Sequence, residues 1–335
     1  MSESSTTSGG STARGTPIIE AEHLAKTFVR RSKAGRFRRE RTEVPAVVDV
    51  TMQIGRGELV GYLGPNGAGK STTIKMMTGI LAPTSGRLVV DGLTPLSDRR
   101  ELARRIGVVF GQRSNLWWDL PLTDSFQLLR HLYGVAADRH RAQLGWLTDL
   151  FDLGPLLAVP VRQLSLGQRM RAEIAAALLH EPSIVFLDEP TIGLDVVSKH
   201  AVREAIATLQ RDRGTTILLT THDLGDVERL CERVLIIDHG RVIYDGGLAE
   251  LVRRHRPRRT LVVDLDLAPG ASSDLGEVDG LRHERTDGPR QWWSFDPDAV
   301  SATTAIARIG AVAAIADLTI EEPAVEEIVR QVYER

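Results

Sequence analysis

The stretch Gly64-Pro65-Asn66-Gly67-Ala68-Gly69-Lys70-Ser71 sets the reading of everything around it. It fits the spacing G-x-x-x-x-G-K-[ST]. The apolar run Leu59–Leu63 precedes it and a helical pattern, Ser71–Thr78, follows. That is the strand, loop and helix setting a phosphate-binding loop needs. Glycines let the backbone curl until successive N–H groups point inward as an anion nest. The helix that starts near Lys70 aims its positive end at the same place. Lys70 is therefore expected at the β- and γ-phosphates of a nucleotide, and the Ser71 hydroxyl on a magnesium ion.

A second apolar run, Ile184–Leu187, ends in Asp188-Glu189. Carboxylates at the end of a parallel strand sit at the usual ligand edge of such a sheet. Asp188 is expected to hold Mg²⁺, directly or through water, and Glu189 to orient and polarise an attacking water. Such a pair alone is often a helix cap. In a chain that also carries a phosphate loop, it reads as part of the same chemistry. Leu164-Ser165-Leu166-Gly167-Gln168 leads into the apolar helix Met170–Leu179. Ser165 is a good N-cap, and a free helix N-terminus is again a phosphate site. Gln112 follows the run Val108–Phe110, and His222 follows Thr216–Thr220. Taken singly, these two read as a polar loop residue and a surface histidine.

Outward from these motifs, strand and helix alternate: Ile184–Leu187, a helix Ser198–Arg211, Thr216–Thr220, a helix Leu224–Cys231 and Val234–Ile237. This predicts an α/β fold with a mostly parallel sheet between helix layers. Between Leu120 and Leu164 few residues are β-branched, and a helical subdomain is expected over about 113–165;. Upstream, Ile18–Phe28 reads as an opening strand. Arg30–Arg41 crowds Arg30, Arg31, Lys33, Arg36, Arg38, Arg39 and Arg41 together without a period, and reads as an exposed loop;. Such a loop is either a solvated insertion or a contact for lipid phosphates or an acidic partner. Residues 1–17, mostly Ser, Thr and Gly, lack the apolar core of a signal peptide and read as a disordered tail;. Downstream, residues 251–259, with the run RRHRPRR, read as a basic linker. Residues 260–335 then read as a small α+β domain, with strands Leu261–Leu265, Gln291–Phe295 and Ile315–Ile320 and helices Asp298–Ile309 and Ala324–Tyr333.

At roughly 150 residues per domain, 335 residues make about two domains;. Lys and Arg number 42 against 44 Asp and Glu, so the chain is not a globally basic nucleic-acid binder;. Hydrophobic content of 42% and charged content of 26% suit an ordinary globular core;. Cys231, alone, cannot form an intrachain disulfide, and a reducing compartment is expected;. No run approaches the roughly 18–20 apolar residues that span a bilayer. The chain is expected to be neither secreted nor integral to a membrane.

In this order and spacing the motifs resemble the ATP-binding subunits of ABC transporters, over residues 18 to about 250. Gly64–Ser71 resembles the Walker A motif, Gln112 the Q-loop glutamine, and Leu164–Gln168 the signature motif. Ile184–Asp188 with Glu189 resembles Walker B and its catalytic glutamate, Gly193-Leu194-Asp195 the D-loop, and His222 the switch histidine. The resemblance implies a P-loop ATPase with an ABC-type core sheet that uses ATP and Mg²⁺. It places Gly64, Pro65, Asn66, Gly67, Ala68, Gly69, Lys70, Ser71 and Thr72 around the nucleotide. Ser71, Gln112 and Asp188 fall on the metal, and Glu189, His222 and Gln112 on the hydrolytic step. Ser165, Gly167, Gln168 and Asp195 belong to the face that closes over ATP held by a second copy, giving a head-to-tail dimer, here a homodimer. Phe28 sits where the family stacks an aromatic on adenine; packing in the core is the other reading. The family's signature has two glycines, and Leu166 replaces the first, either crowding the phosphate or packing against a neighbour. The resemblance also implies a separate membrane permease, with this chain peripheral at the cytoplasmic face, and no nucleic-acid partner. Trp117 and Trp118 read either as permease contacts or as core. The general style, with its small C-terminal domain, resembles bacterial exporters.

Overall fold

Aliphatic runs buried on both faces build the centre of the first sheet, at Leu59–Leu63, Ile184–Asp188, Thr216–Thr220 and Arg233–Asp238. Its strands are β1 (Ile19–Lys33), β2 (Arg39–Ile54), β3 (Leu59–Leu63), β4 (Ser85–Val90), β5 (Ile106–Phe110), β6 (Ile184–Asp188), β7 (Thr216–Thr220), β8 (Arg233–Asp238) and β9 (Arg241–Gly247). Between them lie α1 (Lys70–Met77), α2 (Arg99–Leu102), α3 (Leu122–Tyr133), α4 (Ala137–Leu150), α5 (Leu166–Leu178), α6 (Val196–Arg213) and α7 (Leu224–Leu230). The computed structural model describes residues 16–33, 39–111, 114–255, 258–267, 274–321, 328–329 and 332–333. The chain divides into two compact units, residues 1–246 and 247–335.

In the first unit the strand order is β4-β1-β2-β9-β8-β3-β7-β6-β5. From β8 to β5 every pairing is parallel. Their carboxyl ends therefore share one edge, which is where a parallel sheet presents its ligand-binding loops. β3 and β7 are buried along their whole length, as parallel strands covered on both faces must be;. Val60, Tyr62, Ile184, Phe186 and Leu218 form the centre of this core. Burying a side chain such as Phe186 contributes up to about 3 kcal/mol. The expected helical block is present: α3, α4 and α5 bury Phe126, Leu147 and Met170, with Phe151 buried just after α4.

Two expectations about the first unit change. The segment read as a loop over Arg30–Arg41 is largely strand. β1 and β2 pair antiparallel from Ile19↔Ile54 out to Lys33↔Arg39, with residues 34–38 outside the described residues. The basic residues of this segment show no apolar alternation, so charge concealed the pairing. β2 accordingly starts at Arg39, eight residues before the run Val47–Ile54 that the sequence marks as strand-like.

The second unit is a four-stranded antiparallel sheet in the order β11-β12-β10-β13, formed by β10 (Arg259–Leu265), β11 (Leu281–Asp287), β12 (Arg290–Phe295) and β13 (Ile315–Glu321). Helix α9 (Ala302–Val312) supplies Ala305 and Ile309 to a core with Leu261, Val263, Trp293 and Phe295. The basic linker expected over 251–259 is instead mostly helix, α8 (Leu248–His255). Leu248 and Leu251 are buried at helical spacing, and Glu250 pairs with Arg254 one turn on. β11, LRHERTD, went unexpected because it is an exposed, charged edge strand;. α9 begins after the Ser301 cap rather than at Asp298. The tail 1–15 and most of the helix expected over Ala324–Tyr333 lie outside the described residues.

Candidate active site

The loop 64–69 leaves β3 and enters α1 at Lys70. Gly69 sits at φ 108°, and a Cβ there would fall 2.6 Å from the Ala46 carbonyl. Only glycine fits both the backbone angle and the space. Among the described residues the N–H groups of Gly67, Gly69, Lys70, Ser71 and Thr72 have no protein acceptor. Lys70 is buried, and its Nζ donates to the carbonyls of Gly64 (2.5 Å) and Pro65 (3.1 Å). Burial lowers its pKa from the ordinary lysine value, while nearby Glu189 and Asp188 work in the opposite direction. The loop is thus a built anion cradle: unpaired donors, a positive helix end and a partly desolvated ammonium.

The parallel register brings the acidic pair to the same place. Phe110, Asp188 and Thr220 lie side by side at the ends of β5, β6 and β7. Thr220 Oγ1 donates to Asp188 Oδ1 at 2.6 Å. Glu189 sits at φ 56°, a left-handed conformation uncommon for a residue with a side chain;. Its N–H donates to the Thr220 carbonyl at 2.9 Å, and the Gly111 N–H to the Asp188 carbonyl at 2.9 Å. Glu189 Oε1 lies 2.9 Å from His222 Nε2. One cavity of about 300 Å³ is lined by Lys70, Ser71, Thr72, Glu189 and His222, and an adjoining one of about 270 Å³ by Ser71, Asp188 and Glu189. Ser71, Asp188 and Glu189 present hard oxygen donors, the set Mg²⁺ prefers.

The signature segment stands on α5. Ser165 caps the helix through the Gln168 N–H (3.2 Å), and Gln168 Oε1 accepts from the Ser165 N–H (2.9 Å), closing a capping box;. A Cβ on Gly167 would fall 2.3 Å from Ser198 Oγ, so this glycine is set by packing on α6. Leu166 lies over Gly193, with Cδ2 3.2 Å from where a Cβ there would stand. This contact belongs to the packing reading of Leu166, while the side chain stays 40% exposed. Asp195 caps α6, and the Ser198 N–H and hydroxyl hold its carboxyl below the usual range.

A family described as ABC transporter matches residues 47–192. The ABC transporter ATP-binding protein NatA of Bacillus subtilis (strain 168) is 38% identical over 221 residues, covering 66% of this chain and 89% of that protein. This chain is an ATP-binding subunit of the ABC transporter family. The daunorubicin/doxorubicin resistance ATP-binding protein DrrA of Streptomyces peucetius is 39% identical over 62% of each chain. A solved ATP-binding subunit of an ABC transporter superposes with a TM-score of 0.60 at 30% identity, over 71% of this chain and 92% of its own. A dimeric ATP-binding cassette in a post-hydrolysis state, bound to ADP and Pi, gives 0.59 at 27% identity over 69% and 98%. As an ABC ATPase, the subunit binds and hydrolyses ATP for a transporter, and no helix among its described residues is long and apolar enough to cross a membrane.

The remaining expected residues of this ABC subunit distribute unevenly. Gln112 lies outside the described residues. Phe28 is 39% exposed, with Lys26 Nζ 5.4 Å from its ring centre, so the core reading does not hold; it is not among the residues lining the Lys70 cavity. Trp117 and Trp118 are exposed too. Trp117 borders a groove of about 300 Å³ with Ile80, Phe110, Leu129, Leu132 and Tyr133. Sequence reasoning missed Glu173. It is buried on α5, where it accepts from the Asn115 N–H (2.8 Å) and the Ser114 hydroxyl. Burial pushes its carboxyl above the usual range, against the pull of those donors. It also missed Thr220. A threonine ending a strand is too common to single out, and both contacts join residues far apart in the chain.

Proposed function

We propose that this subunit drives export through a separate permease by closing head to tail with a second copy over two ATP molecules. The observation that carries the hydrolytic part is the Glu189–His222 pair at 2.9 Å, facing the same cavity as Lys70. With ATP bound, the N–H groups of Gly67, Gly69, Lys70, Ser71 and Thr72 meet phosphate oxygens, and Lys70 exchanges the Gly64 and Pro65 carbonyls for them. Ser71 and Asp188, with Gln112 as expected from the sequence, would hold Mg²⁺, which would supply neutralisation of phosphate charge. Glu189 takes the proton of the attacking water, and His222 fixes the carboxylate that does so. Such a base contributes on the order of 10²–10⁴ in rate.

Dimer closure is supported by the apolar surface on the signature side. Val196 and Val197, at the start of α6, are 83% and 78% exposed, beside Ile192 (44%) and Leu166 (40%). The Trp117 groove is the proposed permease contact, which makes the chain peripheral to the membrane. The basic segment 30–41 is a second proposed membrane contact. Export follows the relatives named for daunorubicin resistance and for Nod factor export. A methionine import protein, MetN of Latilactobacillus sakei, is 35% identical over 63% of this chain and 62% of its own, so the direction is settled by transport itself. Uptake into inverted vesicles carrying the permease is expected on adding ATP; efflux from them would mean import. Glu189→Gln is expected to bind ATP, accumulate as a dimer in light scattering and hydrolyse at least a hundredfold more slowly. Normal hydrolysis would remove Glu189 from the role.

A further inference from the structure

Behind the Glu189–His222 pair lies a carboxylate that no motif marks. Asp226, on α7, is fully buried. Its Oδ2 accepts from Thr191 Oγ1 at 2.5 Å and from Thr221 Oγ1 at 2.8 Å. Its Oδ1 accepts from Arg203 Nε at 2.6 Å and lies 2.5 Å from Arg203 Nη2. Thr191 follows Glu189 by two residues, and Thr221 immediately precedes His222. Both threonines are buried. The two loops that carry the hydrolytic pair therefore converge on a single carboxylate oxygen. Arg203 belongs to α6, which begins at the Asp195 cap. The same helix reaches the His222 loop again through Lys199, 2.5 Å from Asp223, and through Arg203, 3.3 Å from it.

We propose that Asp226 is a positioning residue for hydrolysis: through Thr191 and Thr221 it holds Glu189 and His222 at their mutual distance. The physical case has three parts. A buried carboxylate is stable only when its charge is met, and the Arg203 fork meets it on one oxygen, leaving the other free to accept two hydroxyls. Each hydroxyl has one proton, and donating it to a shared oxygen fixes both threonine rotamers at once. Glu189, moreover, turns through a left-handed φ that persists only where surroundings over-determine it, and Thr191 anchors the residues that follow that turn. A pair held this way loses rate rather than binding when the hold loosens, because misplacement of order 1 Å costs about a hundredfold in the reacting step. Asp226 is not among the residues lining the Lys70 cavity, and it reaches the hydrolytic pair through its two threonines.

This inference rests on Glu189 and His222 being the hydrolytic pair. The test uses the full-length chain and ATP, with Thr191→Val and Thr221→Val, which keep shape but lose the hydroxyl, and Thr191→Ser and Thr221→Ser, which keep it. The valine variants are expected to lose about tenfold or more in kcat, with KM for ATP within about twofold of the parent. The serine variants should recover most of the rate. Asp226→Asn, retaining shape and one acceptor oxygen, should show the same kcat-only loss and gives a second line should a valine variant fold poorly. Unchanged kcat in the valine variants, serine variants as slow as valine, or KM rising in step with the loss would each overturn the proposal. Glu189→Gln, measured beside them, separates the two levels. If it is inactive while the valine variants are normal, only the positioning role fails; if it hydrolyses normally, the pair itself was misassigned.

Discussion

Lys70 shows how a single side chain carries both a cost and a function. Burial disfavours its charge, and among the described residues the oxygens it reaches are carbonyls of its own loop. A carbonyl offers a partial charge where a triphosphate offers full ones, so the site is poised toward phosphate. A hydrogen bond to a charged group contributes about 1.5–3 kcal/mol. Lys70→Ala should therefore weaken ATP binding roughly 10- to 100-fold by calorimetry and abolish turnover. It should leave the melting temperature nearly unmoved, because a desolvated ammonium is lost together with its contacts. Retained turnover would take Lys70 out of the site. Residues such as Lys70, Ser71, Asp188, Glu189 and His222 were legible in the sequence because phosphate chemistry dictates their types and spacing. Thr220, Glu173 and Asp226 were not, since their work is done by hydrogen bonds across 32, 59 and 35 positions of chain.

Among the elements, the joint of α5, β5 and α3 is held by a histidine that cannot charge without damage. The His180 ring stacks on Tyr133 (3.9 Å, 5° between planes), and its Nε2 lies 2.9 Å from the Ile106 carbonyl. Burial, only partly opposed by that carbonyl, pushes its pKa down from 6.5 to about 4. The unfolded chain thus takes the proton first. The stabilising contribution is complete above about pH 6.5 and is lost as the pH falls from there toward 4. Between pH 7 and 5 this amounts to about 2 kcal/mol. His180→Phe, which keeps the stack and cannot titrate, should lose correspondingly less stability than the parent over that interval in urea unfolding. Equal losses would place the acid sensitivity elsewhere. The same scale shows what patterning reveals. α5 and the parallel strands were readable because their apolar residues recur at helix or strand period. The charged β11 was not, because an exposed strand is free of that period, and the basic arms of β1 and β2 carry no such period in their sequence either;. α8 was masked by its arginines, although Leu248 and Leu251 already stand one turn apart.

At the scale of the molecule, two cores share one chain. The first gathers around Phe186 and Leu218, the second around Trp293 and Phe295, and the division falls at residues 246 and 247. ATP chemistry is confined to the first, since every residue lining the Lys70 cavity lies before residue 223. A ligand stabilises only the cooperative unit that binds it, by about 2.7 kcal/mol at a hundred times Kd. Trp293 is the test of that separation. It is buried, its Nε1–H donates to Gln291 Oε1 at 2.9 Å, and His283 meets its ring edge-on at 4.9 Å. Removing so large a buried side chain costs about 3–5 kcal/mol, and here the loss falls on the second core alone. In calorimetry of the full chain in a Glu189→Gln background, Trp293→Ala should lower one transition by many degrees. The other transition should stay in place and still rise on adding ATP. A single transition that moves with both the substitution and the nucleotide would mean that the two cores unfold as one, and that the C-terminal unit is energetically part of the ATPase.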